Sequence, residues 1–285
     1  MLTINTKNKI EFSKEQIDQY KRDGVVYLES FYDLEAEILP IKKDIYRIIS
    51  MLIDQYKLPV NQDEFSVENF DSGLIEMVKH HRKIVGILYD AVKKIPSYIR
   101  LASSPKHDIL AKCLIGTDFF GFANRGYGMR MDNPNEDVYL TQWHQDYVSQ
   151  LCAPKGIVLW SPLRNVTYEV GPVQMCPGSH TDGIFPIVRD GDGSYGLKLK
   201  NEEELLKKYA IIVPEVKVGD MVVIDYLTLH ASTANRSKFT RWAMISRYFD
   251  FLDDTGKAHG WKGGLQEGNS FETIHPELSE IIASA

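Results

Sequence analysis

The chain of 285 residues has only three cysteines, Cys113, Cys152 and Cys176, and no Cys-x-x-Cys pair. That excludes a disulfide framework and a thiolate zinc site, and it suits a reducing compartment. An excess of positive charge is also missing. The formal net charge of -6 argues against broad nucleic-acid binding. No apolar run approaches the roughly 18 residues of a membrane span. The opening MLTINTKNKIEFSKEQ lacks the apolar core of a signal peptide. Repeats and low-complexity segments are absent too. By elimination the expectation is a soluble, cytoplasmic protein acting on a small molecule, with neither nucleic acid nor membrane as partner.

What is present changes character along the chain. Up to about residue 110 the pattern is mostly helical. Ser13-Lys-Glu-Gln16 forms a capping box, and Gly24 is a natural stop for the helix it begins. From Leu74 to Ile99 apolar residues recur at helical spacing: Ile75, Val78, Ile84, Val85, Leu88 and Val92. The run Lys79-His80-His81-Arg82-Lys83 reads as a solvated helix face. After about residue 112, glycines, aromatics and short alternating segments dominate. Val138–Asp146, Gly156–Leu163, Gly171–Met175, Asp220–His230 and Arg241–Phe251 read as strands, separated by breakers such as Ala153-Pro154, Pro177-Gly178 and Asn235-Arg-Ser. Helices followed by many short strands imply a β-sandwich or jelly roll buttressed by helices. Asp190–Gly196 imitates the start of a calcium loop. Tyr195 stands where that loop needs glycine and Asn201 where it needs glutamate, so the reading is a plain loop.

Oxygen chemistry at non-heme iron(II) needs two histidines and a carboxylate on one face of the metal. His-x-Asp at the end of a strand supplies two of them, because residues i and i+2 project to the same side. With eight histidines in the chain, chance alone yields about 0.6 such pairs, and there are two. His144-Gln-Asp146 ends a predicted strand, whereas His180-Thr-Asp182 follows Pro177-Gly-Ser in a turn. A third ligand from a remote strand is offered by His230, where the apolar segment from Val218 ends. Arg241 lies eleven residues further on. Burying its charge requires an anion, either the distal carboxylate of 2-oxoglutarate or an internal acid. Ser232 is placed to add a hydroxyl to the same carboxylate.

Three ordered blocks resemble the phytanoyl-CoA dioxygenase family of iron(II)- and 2-oxoglutarate-dependent oxygenases. They are QYKRDGVVYL (19–28), then WHQDYVSQ, GIVLWSPL and GPVQMCPGSH (143–180), then GDMVVIDYLTLHASTANRSKFTRWAMISRY (219–248). The resemblance implies a mostly β protein with flanking helices around a double-stranded β-helix core of jelly-roll, cupin-like type. It implies a single domain over 1–285: a helix-rich part to about 110, a core from about 112 to 251, and a C-terminal extension over 252–285. The tail's own residues, with Gly256, Gly260, Gly263, Gly264 and Gly268, read as a plain surface extension, a lid being the alternative. The resemblance assigns the metal to His144, Asp146 and His230, leaving His180 in a Pro-Gly-Ser-His turn. It assigns the cosubstrate to Arg241 and Ser232, with Gln145 and Trp160 lining the wall. It also implies iron(II), 2-oxoglutarate and O2 as cofactor and cosubstrates. The carboxylate of Asp146 favours oxygenation over halogenation.

Substrate recognition is expected from among Arg125, Arg130 and Arg164, which flank the metal pair in sequence, and Arg247, on the same strand face as Arg241. These arginines point to a small polar or anionic metabolite, hydroxylated at an unactivated C–H with release of succinate and CO2. Desaturation, epimerisation or cyclisation at the same site is the alternative outcome. A cupin-like metal enzyme without 2-oxoglutarate is the other, and the spacing of Arg241 argues against it.

Overall fold

A computed structural model describes residues 1–7, 9–123, 127–190, 196–264 and 267–281. The elements follow the chain in order. Strand β1 (Leu2–Asn5) precedes helix α1 (Lys14–Asp23) and strand β2 (Val25–Glu29). Helices α2 (Leu39–Gln55), α3 (Leu74–His80), α4 (Ile84–Val92), α5 (Pro96–Ala102) and α6 (Pro105–Leu110) come next. Then follow β3 (Phe120–Phe122), β4 (Gly128–Asp132), the short helix α7 (Tyr147–Gln150), β5 (Gly156–Pro162), β6 (Val173–Met175), β7 (Ile187–Arg189) and β8 (Leu197–Leu199). Strands β9 (Met221–Asp225), β10 (His230–Ser232), β11 (Arg241–Asp250) and β12 (Ser279–Ile281) complete the set used below.

The start of α1 obeys its sequence signals. Ser13 and Gln16 cap each other reciprocally, and Gly24 ends the helix in the left-handed conformation, φ 67°. The periodic stretch from Leu74 is three helices rather than one. Breaks fall at His81 and before Pro96, where a ring at the first helical turn restarts the chain. The charged run 79–83 is solvent-exposed, but it is not one helix face, since His81–Lys83 form the break between α3 and α4.

Among the described residues one sheet has seven strands in the order β1-β2-β9-β5-β11-β3, with β4 also on β11. Strand alternation gives it two buried faces. Val26, Leu28, Ile157, Leu159, Met221, Val223, Trp242 and Met244 pack against the helices. Their neighbours Val25, Tyr27, Val158, Trp160, Val222, Ile224, Ala243 and Ile245 form a second core with Val173 and Met175 of β6. Each such apolar side chain taken out of water contributes about 1.5–3 kcal/mol. The smaller facing sheet is β6 with β10, lengthened by single bridges His144–His230 and Met175–Ile212. This is the helix-buttressed jelly-roll arrangement that the block order implies.

Two expected strands differ. Val138–Asp146 keeps only the His144 bridge, because a 3-10 turn occupies Asp137–Tyr139 and Asp146 opens α7. Asp220–His230 breaks at Tyr226–Leu229, where the Asp225 carboxylate accepts from the Leu227 amide and turns the chain. The tail is not a plain surface extension. Phe271 is buried, β12 pairs with β7, and the Gly264 amide donates to the Gln150 carbonyl at 3.2 Å.

Candidate metal centre

His144 and His230 are directly opposite one another across the small sheet, exchanging both backbone hydrogen bonds at 3.1 Å. Opposed residues project to one face, so their rings lie 4.2 Å apart between centroids. Asp146, two residues after His144, starts α7 and turns its carboxylate to the same place. One ligand atom from each of the three lies within 4.8 Å of the others. Among the described residues this is the one such group of histidine, cysteine and acid donors.

The donor chemistry fits a metal. Each ring places Nδ1 at 2.9 Å from the carbonyl two residues earlier, Gln142 for His144 and Thr228 for His230. Donation there fixes the tautomer and leaves Nε2 with a lone pair, the usual outer support of a ligating imidazole. Nε2 of His144 then faces Oδ1 of Asp146 at 3.5 Å. Two acceptors facing each other are repulsive unless a cation joins them.

Burial by itself would raise the Asp146 carboxyl. Arg247, followed by His144 and His230, reverses this and holds it well below the usual carboxylate range. Burial, reinforced by His144, pushes His230 down to about 4. Near neutral pH the centre therefore offers an ionised carboxylate and, at His230, a neutral imidazole.

Beside the donors a cavity of about 70 Å³ is lined by Trp160, Val173, Ile224, Ser232 and Arg241 among others. Arg241 is 3% exposed, and its Nε and Nη2 donate to Oδ2 of Asp132 at 3.1 and 3.0 Å. Its Nη1 donates to the carbonyls of Gly171 and Thr233. The internal acid is thus real, but it is shared. Arg130 donates to Oδ1 of Asp132 at 2.7 Å and to the Thr141 hydroxyl. Two guanidiniums on one carboxylate leave this wall a net positive charge, which suits an incoming carboxylate. The cavity adjoins a cleft of about 960 Å³, and the two share Arg130, Thr141, His144, Asp146, Ile245 and Arg247 in their walls.

Other expected residues are placed differently. The Gln145 amide is fully engaged with backbone, donating to Gly183 and Leu227 carbonyls and accepting from the Phe185 amide. Gln145 lines the cleft, but its amide staples the loops around the centre. Arg164 lines neither cavity. It pairs with Asp71 at 2.5 Å and lies over Phe239 at 4.3 Å, a structural role on the helical side. Arg247 is spent on Asp146, with Nε to Oδ2 at 3.0 Å and Nη2 to Oδ1 at 3.3 Å. Arg125 lies outside the described residues, as does most of the loop 190–196. His180 and Asp182 diverge: His180 Nε2 meets the Lys21 carbonyl at 2.9 Å, and Asp182 accepts from Tyr209. Sequence reading did not single out Asp132 or the tail residues Asn269, Ser270 and Phe271; these three wall the cleft together with Gly263 and Gly264. A buried arginine demands an acid, but the sequence holds 39 of them.

The family profile described as phytanoyl-CoA dioxygenase (PhyH) matches residues 20–243. The phytanoyl-CoA dioxygenase domain-containing protein 1 homolog of Dictyostelium discoideum is 23% identical over 93% of this chain and 100% of its own. The ectoine dioxygenase of Sphingopyxis alaskensis is 23% identical, covering 82% of this chain and 74% of that one. Among solved structures, the epimerase SnoN in complex with Fe3+, alpha ketoglutarate and nogalamycin RO aligns with TM-score 0.56 at 17% identity, over 90% of this chain and 91% of that chain. At that identity the likeness speaks to the fold.

Proposed function

The chain belongs to the phytanoyl-CoA dioxygenase family and is an oxygenase that uses iron(II), 2-oxoglutarate and O2; from that premise we propose that it hydroxylates an unactivated C–H of a small polar or anionic metabolite. The observation that carries this reading is the convergence of His144, Asp146 and His230 within 4.8 Å at the junction of the cavity and the cleft. Iron with 2-oxoglutarate supplies the oxidising power when bound, releasing succinate and CO2. What the chain supplies is geometry and charge. The two imidazoles and one carboxylate occupy one side of the centre, leaving the side toward the cleft for cosubstrate, oxygen and substrate.

In this reading Arg241 and Ser232 receive the distal carboxylate of 2-oxoglutarate, with Trp160 as an apolar wall. Support comes from the surplus positive charge of Arg241 and Arg130 over Asp132. The cleft receives the substrate. Its lining combines apolar Leu151, Ile187 and Ile245 with Lys93, Lys94 and Lys198, so an apolar reacting segment and an anionic or polar end both find partners. The single-domain organisation over 1–285 belongs to the same proposal. It is supported by the tail, whose residues contribute to the cleft wall.

The test is a metabolite screen for substrate-stimulated succinate release from anaerobically iron-loaded protein, with product analysis by mass spectrometry. A mass gain of one oxygen is expected, whereas loss of two hydrogens or an isobaric product would replace hydroxylation by desaturation or epimerisation. In the same assay Arg241→Ala is expected to raise the half-saturating 2-oxoglutarate concentration by at least 30-fold, since removing one partner of a buried charged contact costs about 2–5 kcal/mol. An unchanged requirement would remove Arg241 from the cosubstrate site.

A further inference from the structure

We propose that Arg247 is a positioning residue of the metal centre, gripping both oxygens of Asp146 and thereby fixing which lone pair of that carboxylate faces the two histidine nitrogens. This rests on the metal-centre reading given above. The sequence pointed to Arg247 as a reader of a substrate anion. Its surroundings assign the guanidinium elsewhere.

The residue sits in the inward register of β11, in the row Arg241, Ala243, Ile245, Arg247, Phe249. Its backbone is held on both sides, by pairing with Val158 of β5 and by the Ala123 amide donating to its carbonyl at 3.1 Å. The head group therefore projects from a central strand. The Arg247 side chain is 16% exposed and that of Asp146 only 2%. A buried guanidinium is costly without an acid and a buried carboxylate is costly without a cation, so each stabilises the other.

The contact is a fork. Nε donates to Oδ2 at 3.0 Å and Nη2 to Oδ1 at 3.3 Å. A carboxylate has about four lone-pair positions. With one on each oxygen taken by Arg247, the plane of the carboxylate is fixed. Oδ1 is the atom left facing His144 Nε2 at 3.5 Å. A planar two-point grip sets orientation in a way that a single ammonium cannot. Outer partners of this kind orient metal ligands, and their loss typically weakens binding about 10- to 100-fold.

Positioning is separated from charge by Arg247→Lys, which keeps a cation beside Asp146 but loses the two-point grip. Arg247→Gln removes the grip together with the charge that keeps the buried carboxylate ionised. If orientation dominates, Arg247→Gln and the charge-conserving Arg247→Lys both loosen metal binding.

The experiment titrates the apo wild type and both variants with Co(II), reading affinity by competition and ligand geometry from the visible absorption bands. Folding is checked by far-UV circular dichroism. We expect both variants to bind Co(II) about 10- to 100-fold more weakly, with shifted bands. Unchanged affinity and bands in folded Arg247→Lys would overturn the proposal, as would tighter binding by Arg247→Gln. Should the glutamine variant fail to fold, the lysine variant carries the test. Co(II) bound equally well by wild type and His144→Ala would instead overturn the metal centre itself, a failure distinct from that of Arg247 alone.

Discussion

Two buried acids, Asp132 and Asp146, organise the charge around the centre, and both are met by arginines from one face of β11. Arg241 takes Asp132 and Arg247 takes Asp146. The same register that aims Ala243 and Ile245 into the inner core aims these guanidiniums at the cavity floor. Deleting a donor tests the arrangement at this scale. His144→Ala and Asp146→Ala are expected to weaken divalent-metal binding at least about 100-fold, the loss of a ligand exceeding that of an outer partner. His180→Ala is expected to leave metal affinity within about 2-fold, because its ring serves the end of α1. Calorimetric titration with Mn(II) distinguishes these outcomes, and metal loss in the His180 variant alone would reverse the assignment.

At the scale of elements, the junction of α1 and β2 shows how a local signal is used twice. Gly24 ends the helix in a left-handed conformation, and its carbonyl accepts from the Thr228 hydroxyl and the Asp225 amide. A Cβ there would lie 2.4 Å from both His180 Nδ1 and Thr228 Oγ1. Gly24→Ala therefore combines a backbone cost of about 1–2 kcal/mol with a clash. The melting midpoint is expected to fall by roughly 4–8 °C. A midpoint within about 1 °C of wild type would mean that the cap relaxes freely. The capping box and glycine stop were legible because such signals act within one turn of chain. The splitting of Asp220–His230 into β9 and β10 was less so. Asp225 followed by an apolar run reads as continuous strand until its carboxylate is seen closing on the Leu227 amide.

For the molecule as a whole, stability depends on groups far from the chemistry. His107 is buried between helices and sheet, with Tyr32 Oη 2.7 Å from Nε2 and the Ala102 carbonyl 3.2 Å from Nδ1. Burial pushes it down to about 4 from an ordinary value of 6.5. Below about pH 6.5 the unfolded chain accepts a proton that the folded ring refuses, so stability falls until about pH 4, where the folded ring protonates as well. Between pH 7 and pH 5 this ring alone is expected to remove about 2 kcal/mol. Urea unfolding of wild type and His107→Gln at both pH values isolates it from His230 and Asp225, which also titrate in the acid range. The variant is expected to lose less stability on acidification, and equal losses would refute the assignment.

The sequence by itself determined the reaction class and most of the elements. Capping and strand alternation are short-range properties, and the three blocks that hold His144, Asp146 and His230 are read in order along the chain. Tertiary structure alone decided which charges meet. Arg241 and Arg247 look alike in sequence, six residues apart on one strand face. One lies over a cavity beside Asp132 and the other clasps Asp146. Arg164, equally basic and close in sequence to the metal pair, went to Asp71 on the helical side. The tail, which carries no motif, returned to wall the cleft. Partner choice for a buried charge depends on distance in space and on the low dielectric around it. Neither quantity exists along the chain until the sheet has closed.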